Sequence, residues 1–294
     1  MATLRELKGR IGSVASTEKI TGAMKMISSA KMHKAEQALR RLLPFRQQIE
    51  TIIGNLLSAD AQFSSPLLET REVRRIGIVV FGSDDGLCGA YNVNIFKRLI
   101  EIITGYKSTF GNDVEIDIYT VGSKIAKAVR KIANGKIRMI SDNGVDSKSE
   151  SDEVKLFVAS LQEKFIVGEV DKIDFLYMNF KSISRQGLKS EQLLPVVQES
   201  FSDLNTNVQV KPYIFEPNAT KIFTSVLPLF LLSVMQEVFT ENRASEQAAR
   251  VMAMQSANDN AKKLLEQLRL EYNKLRQQSI TTELLDIVGG QIKN

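Results

Sequence analysis

The sequence predicts an α/β protein with an extended element: a long antiparallel two-helix coiled coil from the N- and C-terminal segments, with an open, mostly parallel α/β domain inserted between them. Three observations carry this. The stretch from Pro217 to Gly290 has one internal proline, Pro228, and no glycine before Gly289. The N-terminal segment carries apolar stripes at helical spacing. Between the two, β-branched runs alternate with amphipathic stretches, the pattern of strands joined by crossover helices. The expected boundaries are 1–58 for the N-terminal helix, 74–210 for the α/β domain, and 217–290 for the C-terminal helix, which pairs with 1–58.

At the N-terminus, Leu4, Leu7, Ile11 and Val14 form one stripe, and Ile20, Met24 and Ile27 a second. Ala38, Leu42, Phe45, Ile49, Ile52 and Leu56 then keep heptad steps. The phase shifts between these groups predict a stripe that drifts around the helix. Pro44 is expected to kink the helix or mark a local break. Ser58 to Arg75 reads as a polar linker. Strands follow at Arg74–Phe81, Val114–Val121, Ile137–Ile140 and Asp174–Phe180, with a last extended segment at Val208–Phe215. Helices fall at Asn92–Thr104, Ser123–Ala133 and Asp152–Phe165. This alternation gives an open, mostly parallel, Rossmann-like sheet with helices on both faces. In the C-terminal helix Val251, Leu265 and Tyr272 share one seam position, and Met254, Ala261, Leu268 and Leu275 the other. Asn258 and Ser279 make that seam partly polar. A helix of roughly seventy residues is on the order of 100 Å long and cannot bury itself, so it needs a partner helix.

With 294 residues, of which 43% are hydrophobic, the chain can bury one substantial core and still support such a shaft. The single cysteine, Cys88, excludes an intramolecular disulfide. The opening residues lack a signal-peptide core, and the most apolar run, Val226–Met235, is too short to span a bilayer. A soluble chain that meets a membrane only through partners is therefore expected. The net charge of +5 is concentrated: ten Lys/Arg against four Glu lie in residues 1–50. A basic helix suits nucleic acid, an anionic membrane or an acidic protein surface. Nucleic acid is disfavoured, because Trp is absent and only Phe45 interleaves the basic stretch.

The glycine-rich turn after the first strand, Gly82 to Ala90, raises a nucleotide-binding alternative. Gly82, Gly86 and Gly89 lack the dinucleotide-fingerprint spacing, no Gly-Lys-Ser/Thr starts the next helix, and Asp84 and Asp85 repel phosphate. His33, the only histidine, reads as an exposed helix residue, and Cys88 as a small buried one. No catalytic, cofactor or metal site is read from the sequence.

Four longer stretches resemble the gamma subunit of F-type ATP synthase. They are Leu4-Arg5-Glu6-Leu7-Lys8-Gly9-Arg10-Ile11 with Lys19 to Met26, then Ser83 to Asn92, Ser245 to Met254, and Tyr272 to Glu283. The family usually has a basic residue where Asp85 stands, and an apolar alanine-rich end where this chain has Gln291 to Asn294. The resemblance implies a non-catalytic central rotor stalk. Its coiled coil would stand in a ring of three alpha and three beta subunits, with the α/β domain near the epsilon subunit and the membrane rotor ring of c subunits. It also implies partner contacts. Met24 and Lys25 would lie near an acidic beta segment, and Arg276, Gln277, Thr281 and Glu283 would form a polar catch with beta. Ile280, Ile287 and Val288 would belong to an upper bearing, and Tyr213, Phe215 and Glu216 would meet the rotor ring. By the same resemblance the complex would sit peripherally on the cytoplasmic face of the cell inner membrane.

Overall fold

The computed structural model describes residues 3–57, 65–140, 142–197, 215–216 and 218–291, without the side chains of 57, 286 and 288–291. The chain divides into two compact units, 1–29 with 250–294, and 30–249. Two helices, α1 (Leu4–Leu57) and α5 (Ala219–Gln291), contribute to both.

The larger unit contains a five-stranded sheet. Its strands are β1 (Arg75–Phe81), β2 (Glu115–Val121), β3 (Ile137–Ile140), β4 (Lys172–Phe180) and β5 (Gln186–Leu194), in the order β3-β2-β1-β4-β5. The first four run parallel and β5 is antiparallel to β4. This order follows from the handedness of crossovers. Steps from β1 to β2 to β3 through α2 (Tyr91–Phe110) and α3 (Ser123–Val129) move one way, with both helices on one face. The chain then returns through α4 (Ser151–Val167) on the other face and places β4 on the opposite side of β1. Alternate strand residues therefore feed two cores. Ile76, Ile78, Val80, Ile116 and Ile118 pack under Ile95, Leu99 and Ile103 of α2. Val79, Phe81, Tyr119 and Phe175 pack against Phe157, Leu161 and Phe165 of α4, and also against both long helices: Ile49, Ile53 and Leu56 of α1 and Phe223 to Phe239 of α5.

The last of these contacts explains why the start of α5 is apolar enough, by length and composition, to cross a membrane. Phe223, Leu227, Leu231, Met235 and Val238 are buried in the core, so this is the hydrophobic face of a core helix. Within this unit α1 and α5 run antiparallel. Lys31 to Ala38 line a cavity with Thr240 to Gln247, whereas Arg46 bonds Glu237 further back along α5.

In the smaller unit α5 buries Val251, Met254, Asn258, Ala261, Leu265 and Leu268, and half-buries Tyr272, Leu275 and Ser279. Every expected seam residue of α5 is therefore on the inside. On α1 Leu7, Thr21 and Ser28 are buried and Ile11, Val14, Glu18 and Lys25 half-buried. Asn258 donates from Nδ2 to the Glu18 carbonyl (2.7 Å) and to the Thr21 hydroxyl (3.3 Å).

Four expectations are corrected. The α1 stripe does not drift: 7, 11, 14, 18, 21, 25 and 28 keep alternating steps of four and three. In the larger unit 32, 35, 39, 42, 46, 49, 53 and 56 keep the same alternation. Ile20 and Ile27 face outward, because Glu18, Thr21, Lys25 and Ser28 hold the inner positions beside them; Ala38, Phe45 and Ile52 also face outward, where Leu39, Leu42, Ile49 and Ile53 hold the inner row. The helix does not break at Pro44, whose exposed position lets water satisfy the carbonyl it leaves free. Residues 65–75 are more than a linker: Ser65 caps a 3₁₀ turn at Pro66–Leu68, Leu67 is buried, and its carbonyl accepts the Val196 N–H. Strand β5 was not anticipated. Of the last extended segment, 208–214 lies outside the described residues, and Phe215 is in no strand.

Candidate partner-contact surfaces

The loop after β1 lies where the strand order reverses, the usual ligand position in an open α/β sheet. Here the polar groups of Ser83 and Asp84 are used internally. Asp84 accepts the Ser123 N–H (2.7 Å), the Ser147 N–H (2.9 Å) and the Ser147 hydroxyl (2.6 Å), so it caps α3 and ties down the loop before α4. Burial opposes ionisation of this carboxyl, but the Ser147 and Ser123 bonds and the Lys148 charge outweigh it and lower its pKa. Ser83 is held by Asn92, and Cys88 is buried beside it. The glycines serve packing. A Cβ on Gly82 would lie 2.5 Å from the Ile125 Cβ, and Gly122, at φ +114°, lies against the Gly82 backbone. Among the described residues no three His, Cys, Asp or Glu side chains group as metal ligands.

Asn242 of α5 packs on this loop. Asn242 donates to the Gly82 carbonyl (3.2 Å) and accepts the Tyr91 hydroxyl (2.6 Å). Ala244, Ser245 and Ala248 are fully buried, small enough to let the helix approach. Within the resembling stretch 245–254, Ser245 and Ala248 therefore serve the packing of the α/β unit.

The partner-contact candidates cluster at the end of α5. At 100° per residue, Gln277, Thr281 and Leu284 fall opposite the seam of Leu268, Tyr272, Leu275 and Ser279. Arg276, Ile280, Glu283 and Ile287 form a flanking row with steps of four, three and four. All of these candidates are exposed. Thr281 donates to the Gln277 carbonyl (2.9 Å), and the Ser279 hydroxyl lies 3.5 Å from Glu283. Arg276 has no ion pair among the described residues. Ile280, Leu284, Leu285 and Ile287 are about half to two-thirds exposed, four large apolar groups within eight residues. Covering the exposed part of each would gain about 1–2 kcal/mol.

On α1, Met24 and Lys25 are half-buried, with Lys25 at an inner position. Ile20, Met26 and Ile27 form an exposed apolar set around them, although the stripe spacing predicts Ile20 and Ile27 inward. Stripe spacing alone does not distinguish an inner row from an outer one when polar residues occupy the inner row. Phe215 packs partly into the α/β core and Glu216 is exposed. Tyr213 and the Val288 side chain lie outside the described residues.

A family model described as ATP synthase matches residues 3–292. The ATP synthase gamma chain of Phocaeicola vulgatus is 42% identical, with 99% of this chain and 100% of that protein covered. The gamma chain of Bacteroides fragilis is 41% identical, at the same coverage. Among solved structures, a chain of the Euglena gracilis mitochondrial ATP synthase OSCP/F1/c-ring assembly superposes with a TM-score of 0.66. The alignment covers 98% of this chain and 93% of the other, at 21% identity. A chain from a Tetrahymena thermophila mitochondrial ATP synthase central stalk/c-ring structure gives 0.55 over 81% of this chain and 99% of the other, at 20% identity.

Proposed function

Since the chain belongs to the family of ATP synthase gamma chains, we propose that it is the non-catalytic rotor shaft of a proton- or sodium-translocating F-type ATP synthase. In this reading a membrane ring of c subunits and the epsilon subunit turn the α/β unit at the cytoplasmic face of the inner membrane. The helical unit turns within three alpha and three beta subunits. The observation that carries the reading is the end of α5, where polar and apolar rows stand exposed side by side. A ligand shifts an equilibrium only by its difference in affinity for the two states. A shaft with unlike faces therefore favours a different conformation in each catalytic subunit it meets, and rotation carries that bias around the ring. Exposed polar contacts worth about 0–1 kcal/mol each let the surface slide.

The test is the double variant Gln277→Ala with Thr281→Ala. Both side chains are exposed and Ala keeps helix propensity, so the isolated chain should fold and melt as the parent does. In the complex assembled with its own alpha, beta, epsilon and c partners, ATP turnover and ion pumping should both fall. Variant complexes that assemble and pump like the parent would overturn the assignment of these two residues. Failure of the parent chain to assemble with alpha and beta would overturn the shaft reading itself.

A further inference from the structure

We propose that the α/β unit contains a binding pocket for a small dianionic oxyanion, of the phosphate or dicarboxylate class, between α1, α5 and the loops after β1 and β3. The cavity measures about 320 Å³, within the range of small-ligand sites. Four cationic side chains line it, Lys31 and Lys34 from α1, Lys148 from the loop before α4, and Arg243 from α5. Two acids face them: Asp85 and Glu246. Asp85 is taken up by Lys148 at 3.2 Å, and Glu246 has a partner of its own. The lining therefore carries an excess of two positive charges, four against two.

The cations are placed differently. Lys31 and Lys34 lie three residues apart on one helix face, where like charges repel, and neither has an ion pair among the described residues. An anion bridging them would convert that repulsion into attraction. Arg243 is already fixed: Nε donates to the Ser147 carbonyl (3.2 Å) and Nη2 to the Ser149 carbonyl (2.9 Å). Its Nη1 remains for a ligand, and little ordering cost is left for that contact.

The most specific observation is Gln247. It is 7% exposed, it lines the cavity, and its side-chain amide makes no hydrogen bond among the described residues. Its amide atoms are not among the buried unpartnered ones, so they keep solvent access and stay open to a ligand entering the cavity. Its NH₂ group is a neutral donor beside the cations, the combination that recognises an oxyanion by hydrogen bonding as well as by charge.

The experiment follows thermal unfolding of the full-length chain as inorganic phosphate or succinate is raised at constant ionic strength, with chloride as the balancing anion. A ligand that binds only the folded state raises the midpoint in a saturable manner. A saturable rise with either anion supports the pocket, and the stronger of the two identifies the class. Gln247→Leu and Lys34→Gln should each weaken the apparent affinity about fivefold or more. Neither should lower the midpoint without ligand, because neither side chain gives up a partner. Lys34 is exposed, so its variant keeps the test decisive even if Gln247→Leu folds poorly. A midpoint indifferent to both anions would overturn the proposal, and so would one that rises equally in parent and variants.

Discussion

At the scale of single residues, two carboxylates of the α/β unit should respond to pH in opposite directions. Asp84 holds three donors, from the start of α3 and from the loop before α4, so Asp84→Ala should cost about 2–3 kcal/mol in a denaturant melt. Its folded pKa is lowered. Its contribution is thus present above the ordinary carboxylate value, about 3.9, and is lost as pH falls through the folded value. Asp174 is the reverse case. It is buried between the Tyr106 hydroxyl and the Lys172 ammonium, with Oδ1 unpartnered among the described residues. Burial pushes it up to about 7. Lys172, at 3.3 Å, opposes this, but its own charge is weakened by burial. The stability tied to Asp174 is present below about pH 4 and is lost as pH rises towards 7. Asp174→Asn should flatten the stability profile over that window and gain about 2 kcal/mol at pH 8, as read by denaturant melts from pH 4 to 8. Ser245 supplies a simpler check. Its hydroxyl is buried without a partner, so Ser245→Ala should leave the melting midpoint unchanged or raise it.

Among the elements, the helical seam is where polar chemistry replaces apolar packing. Asn258 bonds a carbonyl and a hydroxyl that already have helical partners, since the Thr21 hydroxyl donates to the Thr17 carbonyl (2.9 Å). Asn258→Leu would strand neither group. A polar seam residue specifies alignment at a cost in stability. The variant should therefore raise the thermal midpoint, by circular dichroism at 222 nm, and a lower midpoint would show that the amide stabilises the pair outright. The same chemistry governed what could be read from sequence. In α5 the inner positions are Val251, Met254, Ala261, Leu265 and Leu268, so the seam was legible. In α1 they include Glu18, Thr21, Lys25 and Ser28, while Ile20 and Ile27 face outward, so hydrophobicity pointed to the wrong row. Strands β1, β2 and β4 are covered on both faces and are rich in apolar and β-branched residues, so they were legible as strands. Strand β5 is an edge whose Leu188 to Glu191 are exposed, and its Gly-Leu-Lys-Ser-Glu-Gln composition carries no period to detect. The exposed rows at the end of α5 were legible only through the family resemblance, since exposed helix residues look alike whatever they touch.

For the whole molecule, folding and coupling should separate at the end of α5. The side chains described beyond Ser279 are exposed, so a chain ending at Ser279 should melt within a few degrees of the parent, by calorimetry. In the assembled enzyme the same truncation should reduce coupled pumping. A large fall in its midpoint would show that the tip stabilises the chain itself. The helical unit also has an order of synthesis built into it. It joins residues 1–29 to residues from 250 onward, so 220 residues, 30–249, must be made before the second half begins to appear. At about 5–20 residues per second, the first segment waits roughly 11–44 s on the ribosome without its partner. Most helical stability in proteins comes from packing of the apolar face, and Leu7, Ile11 and Val14 stay uncovered for the whole interval. The earlier-translated half of this unit is thus left unprotected until the later half appears. Nascent chains stalled before residue 250 should bind holdase chaperones through residues 1–29, and release them once the C-terminal partner has emerged.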